Sequence, residues 1–362
     1  MKNQAENLIN YHQFSKDLSR KFDEFIVKEI SQRVDSETLK LLYGKFFKKK
    51  IGTVHQRVSL VFIAAKFFGI DTEKNFDKLM RLAAVPEILI WSEYAFNWVT
   101  DGKNNDSGTK YEENINLISS QYLLTEVTNF LPDRMLRRYL ELYRWGIFGC
   151  LTVEKDLRIT NWENMKEEKA FWTAYSRNHC IPDVGALYAY CFEIVHDYFE
   201  LNLDQKFLDK INKISFEFGR GLQVNGDLSD LIIPNEFIAT TEKRPQKDYF
   251  IDIRTDRLTY PSWLLLTRAE KDDKQLFKAI VKSAEIRKYP NSKFYSRIHN
   301  SLRKYGIVDE VLSFLNKEKK RLMKEINKLV VNNAGAELWK SSIIVLVNNK
   351  FRKQIKGDYS TR

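Results

Sequence analysis

The sequence predicts an all-helical fold, and three observations carry that expectation. Apolar residues recur at three- and four-residue intervals through most of the chain. Breakers are scarce, with 14 Gly and 7 Pro in 362 residues, below average usage. The hydrophobic share of 43% is ample for a sizeable core. No internal repeat, low-complexity tract or sharp compositional shift cuts the chain. A single all-helical domain over residues 1–362 is therefore expected, with a basic C-terminal tail over residues 350–362.

Taken in order, Asn7–Val34 reads as an amphipathic helix with Phe14, Leu18, Phe22, Phe25, Ile26 and Ile30 on one face. Ser36 caps another start. Val58–Gly69 is apolar almost all round and closed by a glycine, as a core helix would be. Pro86 is placed in the tolerated first turn of a helix that runs to Asp101. Residues 101–108 form the clearest loop of the first half, and the helical pattern resumes from Glu113 to Leu131, with Pro132 as punctuation. Arg134–Val153 and Glu163–Tyr175 follow as helices. Pro182 opens another, with Gly185 inside it where close packing or a local break is expected. Leu208–Leu222 leads into an acidic stretch, and Ile233–Asp256 is the longest irregular segment. Pro261 begins the next helix, and from Lys271 onward the period is again helical, with a turn at Tyr289, Pro290 and Asn291.

Composition narrows the functional classes. Net charge is +11, but the basic runs Lys48–Lys50, Lys319–Arg321 and Lys350–Lys356 are scattered rather than gathered on one recognition element, so no nucleic-acid partner is expected. The apolar run Ile343–Val347 is far too short to cross a bilayer. Cys150, Cys180 and Cys191 make no CxxC pair, and no apolar signal region opens the chain, which points to the cytoplasm. The five histidines are too dispersed for a zinc pattern, and no GxGxxG, P-loop or G-x-S-x-G motif is present.

Two stretches carry chemistry. In the Pro86 helix, Glu93, Asn97 and Asp101 fall four residues apart on one stripe, while Glu87, Trp91, Tyr94 and Trp98 also recur at helical spacing. In QVNGDLSD, Gln223, Asp227 and Asp230 share a face at spacings of four and three. Two such helices facing each other would place oxygen ligands on both sides of a cavity, a geometry suited to Mg²⁺ held between carboxylates and a diphosphate.

The order and separation of these stretches resemble the trans-isoprenyl diphosphate synthases, or polyprenyl synthetases, over roughly Lys45 to Leu266. In that family E-L-x-x followed by D-D-x-x-D faces F-Q-x-x-D-D-x-x-D. Here Glu87 opens the first pattern, Asn97 and Asp101 take its outer acidic positions, and Trp98 replaces its second aspartate. Leu222 and Gln223 match the start of the second, Gly226 replaces its first aspartate, and Asp227 and Asp230 remain. KDYFIDIRTDR is similar to the family's diphosphate-binding loop and supplies Lys247, Asp252 and Arg257. NINLISSQYLL, from Asn114, is similar to its A-I-x-x-G-D-x-L-L helix. The acceptor's G-K-x-x-R segment departs from the family, with Val54 for its lysine and Arg57 for its arginine. Ile90 stands for a Gln or His, no Arg-Arg pair follows Asp101, and Asp183 replaces a lysine beside Gly185.

The resemblance implies an isoprenoid-synthase-like helical bundle around a central active-site cavity. It implies Mg²⁺ at Asn97, Asp101, Asp227 and Asp230, which are the catalytic set, and a substrate diphosphate at Gln223, Lys247, Arg257 and Arg57. Trp91, Tyr94, Trp98 and Gly185 would line the cavity. With most of the acceptor cradle missing, the expected activity is that of a class I terpene synthase, which ionises an allylic prenyl diphosphate without isopentenyl diphosphate. A chain-elongating polyprenyl diphosphate synthase, or a non-catalytic partner subunit of one, stays open beside it. A homodimer, or a heteromer with a related synthase, fits the family.

Overall fold

Helical periodicity becomes helices throughout. The computed structural model describes residues 2–32, 37, 51–100, 110–232, 250–282, 292–329 and 333–346, and among them there is no strand. The one ladder-like pairing there is an isolated antiparallel bridge between Arg158 and Arg257. Contacts divide the chain into two units, the first made of residues 1–144, 186–216 and 323–344, and the second of residues 145–185, 217–322 and 345–362. The basic tail expected over residues 350–362 and the Ser36 start lie outside the described residues.

In the first unit, α1 (Lys2–Ser31), α2 (Gln56–Phe67) and α4 (Lys110–Glu126) appear where apolar periodicity places them, while α3 (Phe76–Thr100) starts upstream of the expected Pro86. α2 is buried from Arg57 to Phe67 apart from Lys66, which accounts for its nearly unbroken apolar sequence. Gly69 ends it in the left-handed region at φ +78°, a conformation that costs glycine least. Pro86 lies in the interior of α3 and not in a first turn. Proline there forfeits one backbone hydrogen bond. Leu79, Met80 and Leu82–Val85 are fully buried, so apolar burial carries the helix through the proline and back to Phe76.

Another part of this unit is built around Trp339 of α14 (Ala334–Ile343), which is fully buried with its ring 4.4 Å from Phe192 and 5.3 Å from Phe67. Asn333 caps α14 by accepting from Ala336 N, and its side-chain amide donates to the Phe67 carbonyl at 2.8 Å. A Cβ on Gly335 would stand 2.2 Å from Phe67 N, so only glycine permits this approach. α7 (Ala186–Tyr198) supplies Phe192, and Arg138 of α5 (Asp133–Lys155) grips its Glu193 through two bonds of 2.9 and 3.0 Å.

The second unit packs a continuous apolar cluster that includes Phe171, Tyr260, Trp263, Leu302, Val311 and Leu315. Phe171 stacks on Trp263 at 4.7 Å, and Trp263 Nε1 donates to the Met165 carbonyl at 2.7 Å. The helix expected over Glu163–Tyr175 is divided into a 3₁₀ turn (Ile159–Met165), the short α6 (Glu168–Trp172) and the start of a π-wound segment, Thr173–Gly185. Pro182 sits inside that segment and does not open a helix. Lacking an N–H, it takes no part in the i→i−4 ladder that a regular helix would require. Gly185 ends the segment in close packing, because a Cβ on Gly219 would come within 2.5 Å of Gly185 Cα. Gly219 belongs to α8 (Gln205–Asp230), a single helix that includes the whole second acidic stretch. Downstream come α9 (Ile251–Arg254), α10 (Tyr260–Arg268), α11 (Lys271–Lys282), α12 (Ser292–Lys304) and α13 (Ile307–Asn327). Pro261 falls in the first turn of α10 beside a Thr259–Ser262 capping box, as the sequence predicts.

Candidate active site

The last two turns of α8 place Gln223, Asp227 and Asp230 along one face, and Asp227 and Asp230 are only 2% and 3% exposed. Gln223 Nε2 donates to Asp227 Oδ1 at 2.8 Å, and the Tyr175 hydroxyl donates to Asp227 Oδ2. Asp230 reaches the chain twenty residues on. Its carbonyl accepts from Phe250 N at 3.0 Å and its Oδ2 accepts from Asp252 N at 3.3 Å. Phe250 itself is left-handed at φ +58°. Arg257 closes the turn, its N–H donating to the Asp252 carbonyl at 2.7 Å and its guanidinium lying 4.0 Å from Asp252 Oδ1. The Leu258 N–H bonds the Leu157 carbonyl at 2.8 Å, which anchors the turn against the second unit's core.

Burial, and after it the negative charge of Asp252, pushes the Asp227 carboxyl well above the ordinary carboxylate range. Burial likewise raises the Tyr175 hydroxyl, with Asp227 adding to the effect. His179, in the π-wound segment, has its pKa lowered by burial; Asp183 opposes that shift and Arg257 adds to it. Its Nδ1 is buried without a hydrogen-bond partner, 4.0 Å from Asp183 Oδ2.

In the first unit, Glu87 is buried and accepts from Trp91 Nε1 at 3.1 Å. His55 sits between two carboxylates, with Nδ1 2.9 Å from Glu87 and Nε2 2.8 Å from Asp23. Burial alone would lower its pKa, but the hydrogen bonds to Asp23 and Glu87 outweigh that and raise it to about 9. Asp23 also accepts from Gly52 N at 2.8 Å, and Ser19 Oγ accepts from His55 N at 2.8 Å. The segment that starts at Gly52 is thus fastened to α1 and α3.

The residues singled out by sequence are distributed as follows. Gln223, Asp227, Asp230, Asp252 and Arg257 come together in the second unit, where Gly185 packs against Gly219. In the first unit Arg57 is buried, its guanidinium 5.3 Å from the Tyr188 ring centroid. Trp91 is fully buried, its ring 6.0 Å from Phe22 and 5.7 Å from His55, which is packing within the core of the unit. Tyr94 is 39% exposed. Asn97 and Trp98 fall within α3, but their side chains lie outside the described residues, as do Asp101 and Lys247 altogether. Sequence patterns did not point to Tyr175, Asp23 or His55. Their partners are 52 and 32 positions away, and nothing in the local spacing signals a pairing at that range.

Both Asp227 oxygens already accept hydrogen bonds, and among the described residues no three His, Cys, Asp or Glu side chains converge as a metal site. The described donors do not fit Mg²⁺, and no step below is routed through it.

No protein-family description matches the sequence, and no curated protein matches it either. Solved structures do. A decaprenyl diphosphate synthase from Rhodobacter capsulatus superposes with a TM-score of 0.70 at 12% identity, covering 93% of this chain and 98% of that one. A geranylgeranyl pyrophosphate synthase from Lactobacillus brevis gives 0.67 at 14% identity, with 91% and 96% covered. A polyprenyl synthase from Caulobacter crescentus, complexed with calcium and isoprenyl diphosphate, gives 0.65 at 13%, with 96% of each chain covered. At such identities what is shared is the fold, the all-α fold of the trans-isoprenyl diphosphate synthases.

Proposed function

From the isoprenoid-synthase fold that this chain shares, we propose that the protein acts on prenyl diphosphates as a chain-elongating prenyltransferase. The observation that carries the proposal is the junction in the second unit, where Asp230 of α8 holds the turn that presents Asp252 and Arg257. The neighbouring structures, decaprenyl and geranylgeranyl diphosphate synthases, favour elongation over cyclisation. Arg257, with Lys247, would neutralise the phosphate oxygens of an allylic diphosphate. The C1–O bond then breaks with its electron pair leaving on diphosphate. The acceptor's double bond forms the new C–C bond, and a C–H proton passes to the released diphosphate as the alkene is restored. No part of this step is routed through Mg²⁺, which the family resemblance places at Asn97, Asp101, Asp227 and Asp230.

Ionisation without an acceptor, as in a terpene synthase, is favoured by one specific observation in the first unit. Val54 is 53% exposed and uncharged, while His55 and Arg57 are turned inward to Glu87 and Tyr188. Among the described residues of that segment, few cations are left to hold a second diphosphate.

Assembly is also proposed. Ile147, Phe148 and Leu151 are 43%, 51% and 61% exposed on α5, and such an apolar strip suits a homodimer or a related synthase as partner. No helix among the described residues is long and apolar enough to cross a membrane.

The test is incubation with C10, C15 and C20 allylic diphosphates and Mg²⁺, with and without isopentenyl diphosphate, followed by mass spectrometry of the organic extract. Longer diphosphates made only with the acceptor are expected. Hydrocarbon or alcohol formed without it would replace elongation by cyclisation. No product under either condition would leave the partner-subunit reading.

A further inference from the structure

We infer that the acidic end of α8 is a carboxylate clasp, which fastens the π-wound segment and the 250–257 turn, and not a divalent-cation site. Asp227 works on one side. Its two oxygens accept from Tyr175, within the π-wound segment, and from Gln223, one turn back on its own helix. Asp230 works on the other, its carbonyl and Oδ2 accepting from Phe250 N and Asp252 N. Those two N–H groups stand at the start of α9, where helical donors have no intrahelical partner; the Asp230 carbonyl receives one and its carboxylate the other. The clasp also holds Phe250 in its left-handed conformation, which a non-glycine residue adopts only when its surroundings enforce it.

A cation site needs carboxylate oxygens that face a common point. Here oxygens of both are engaged by donors from two different segments, and both side chains are almost wholly buried. A cation reaching Asp227 would compete with Tyr175 and Gln223 for oxygens that already accept their hydrogen bonds. Nor is there a neighbouring acid one residue back. Gly226 is exposed, with no atom within 4 Å of where its Cβ would stand.

The inference uses the prenyl diphosphate reading only to choose a ligand, and its test separates the two. For the full chain and for Asp227→Asn, Asp230→Asn and Asp227→Ala, the melting temperature is measured without ligand. The affinity for inorganic diphosphate is then measured by calorimetry with and without Mg²⁺. Asp227→Ala should melt several degrees lower, because Tyr175 and Gln223 lose their acceptor, while Asp227→Asn keeps an oxygen there and should melt close to the parent. Whatever gain in diphosphate affinity Mg²⁺ confers on the parent should persist within twofold in both Asn variants. A tenfold or greater loss of that gain in an Asn variant of unchanged melting temperature would overturn the clasp, as would an Asp227→Ala protein that melts like the parent. If diphosphate binds under neither condition, the prenyl diphosphate reading fails, and the melting temperatures alone decide the clasp.

Discussion

Replacing His55 with glutamine removes the positive charge lying between Asp23 and Glu87 while leaving a side chain able to hydrogen-bond. The size of the effect follows from the site. The imidazolium is favoured from an ordinary pKa of 6.5 up to about 9 in the folded chain, and at ~1.36 kcal/mol per unit that is about 3 kcal/mol. The sign follows from the direction. A group whose folded pKa is raised contributes its full stabilisation below the unfolded value, so the term is present below pH 6.5 and lost as pH rises through about 9. The charged groups around it are Asp23 on α1 and Glu87 on α3, with Arg57 of α2 also interacting with Glu87. Urea unfolding of the parent and His55→Gln, followed by circular dichroism, should show a gap of a few kcal/mol at pH 6 that closes toward pH 10. A gap of equal size at both ends would mean that His55 is neutral in the folded chain, and the ion-pair account would be wrong. His55→Ala should cost more at pH 6, about 3–5 kcal/mol, because Asp23 and Glu87 would lose both the cation between them and its hydrogen bonds.

Other outcomes follow from packing and titration. Trp339→Ala should destabilise the first unit by about 3–5 kcal/mol, read from denaturant midpoints, since its ring is fully buried between Phe67 and Phe192. Two glycines of α8 should respond oppositely to alanine. Gly219→Ala forces a Cβ to within 2.5 Å of Gly185 Cα and should lower the melting temperature, whereas Gly226→Ala meets open space and should gain about 0.5–1 kcal/mol from helix propensity. His299 is buried, with Nε2 3.1 Å from the Leu231 carbonyl, and burial lowers its pKa to about 4. Its contribution should be intact above pH 6.5 and fall away as pH drops toward 4, so His299→Asn should flatten the acid limb of a stability–pH curve.

The sequence by itself determined the all-α class and the stretches that become α2, α8 and α10, because helical period, a closing glycine and a first-turn proline are local properties. It also determined that Gln223, Asp227 and Asp230 share one face, since residues three and four apart on a helix must. Tertiary structure decided what that face does. Tyr175 and Asp252 reach it from 52 and 22 residues away, and only folding brings them there. The same holds for Pro86, whose helix continues upstream because the residues around it are buried, and for Pro182, which sits within π-wound rather than α-helical backbone. It holds equally for Trp91, where helical spacing alone does not distinguish a cavity wall from a core. Periodicity is written in neighbours along the chain, whereas burial, and with it the protonation of Asp227 and His55, depends on what the rest of the chain places around a side chain.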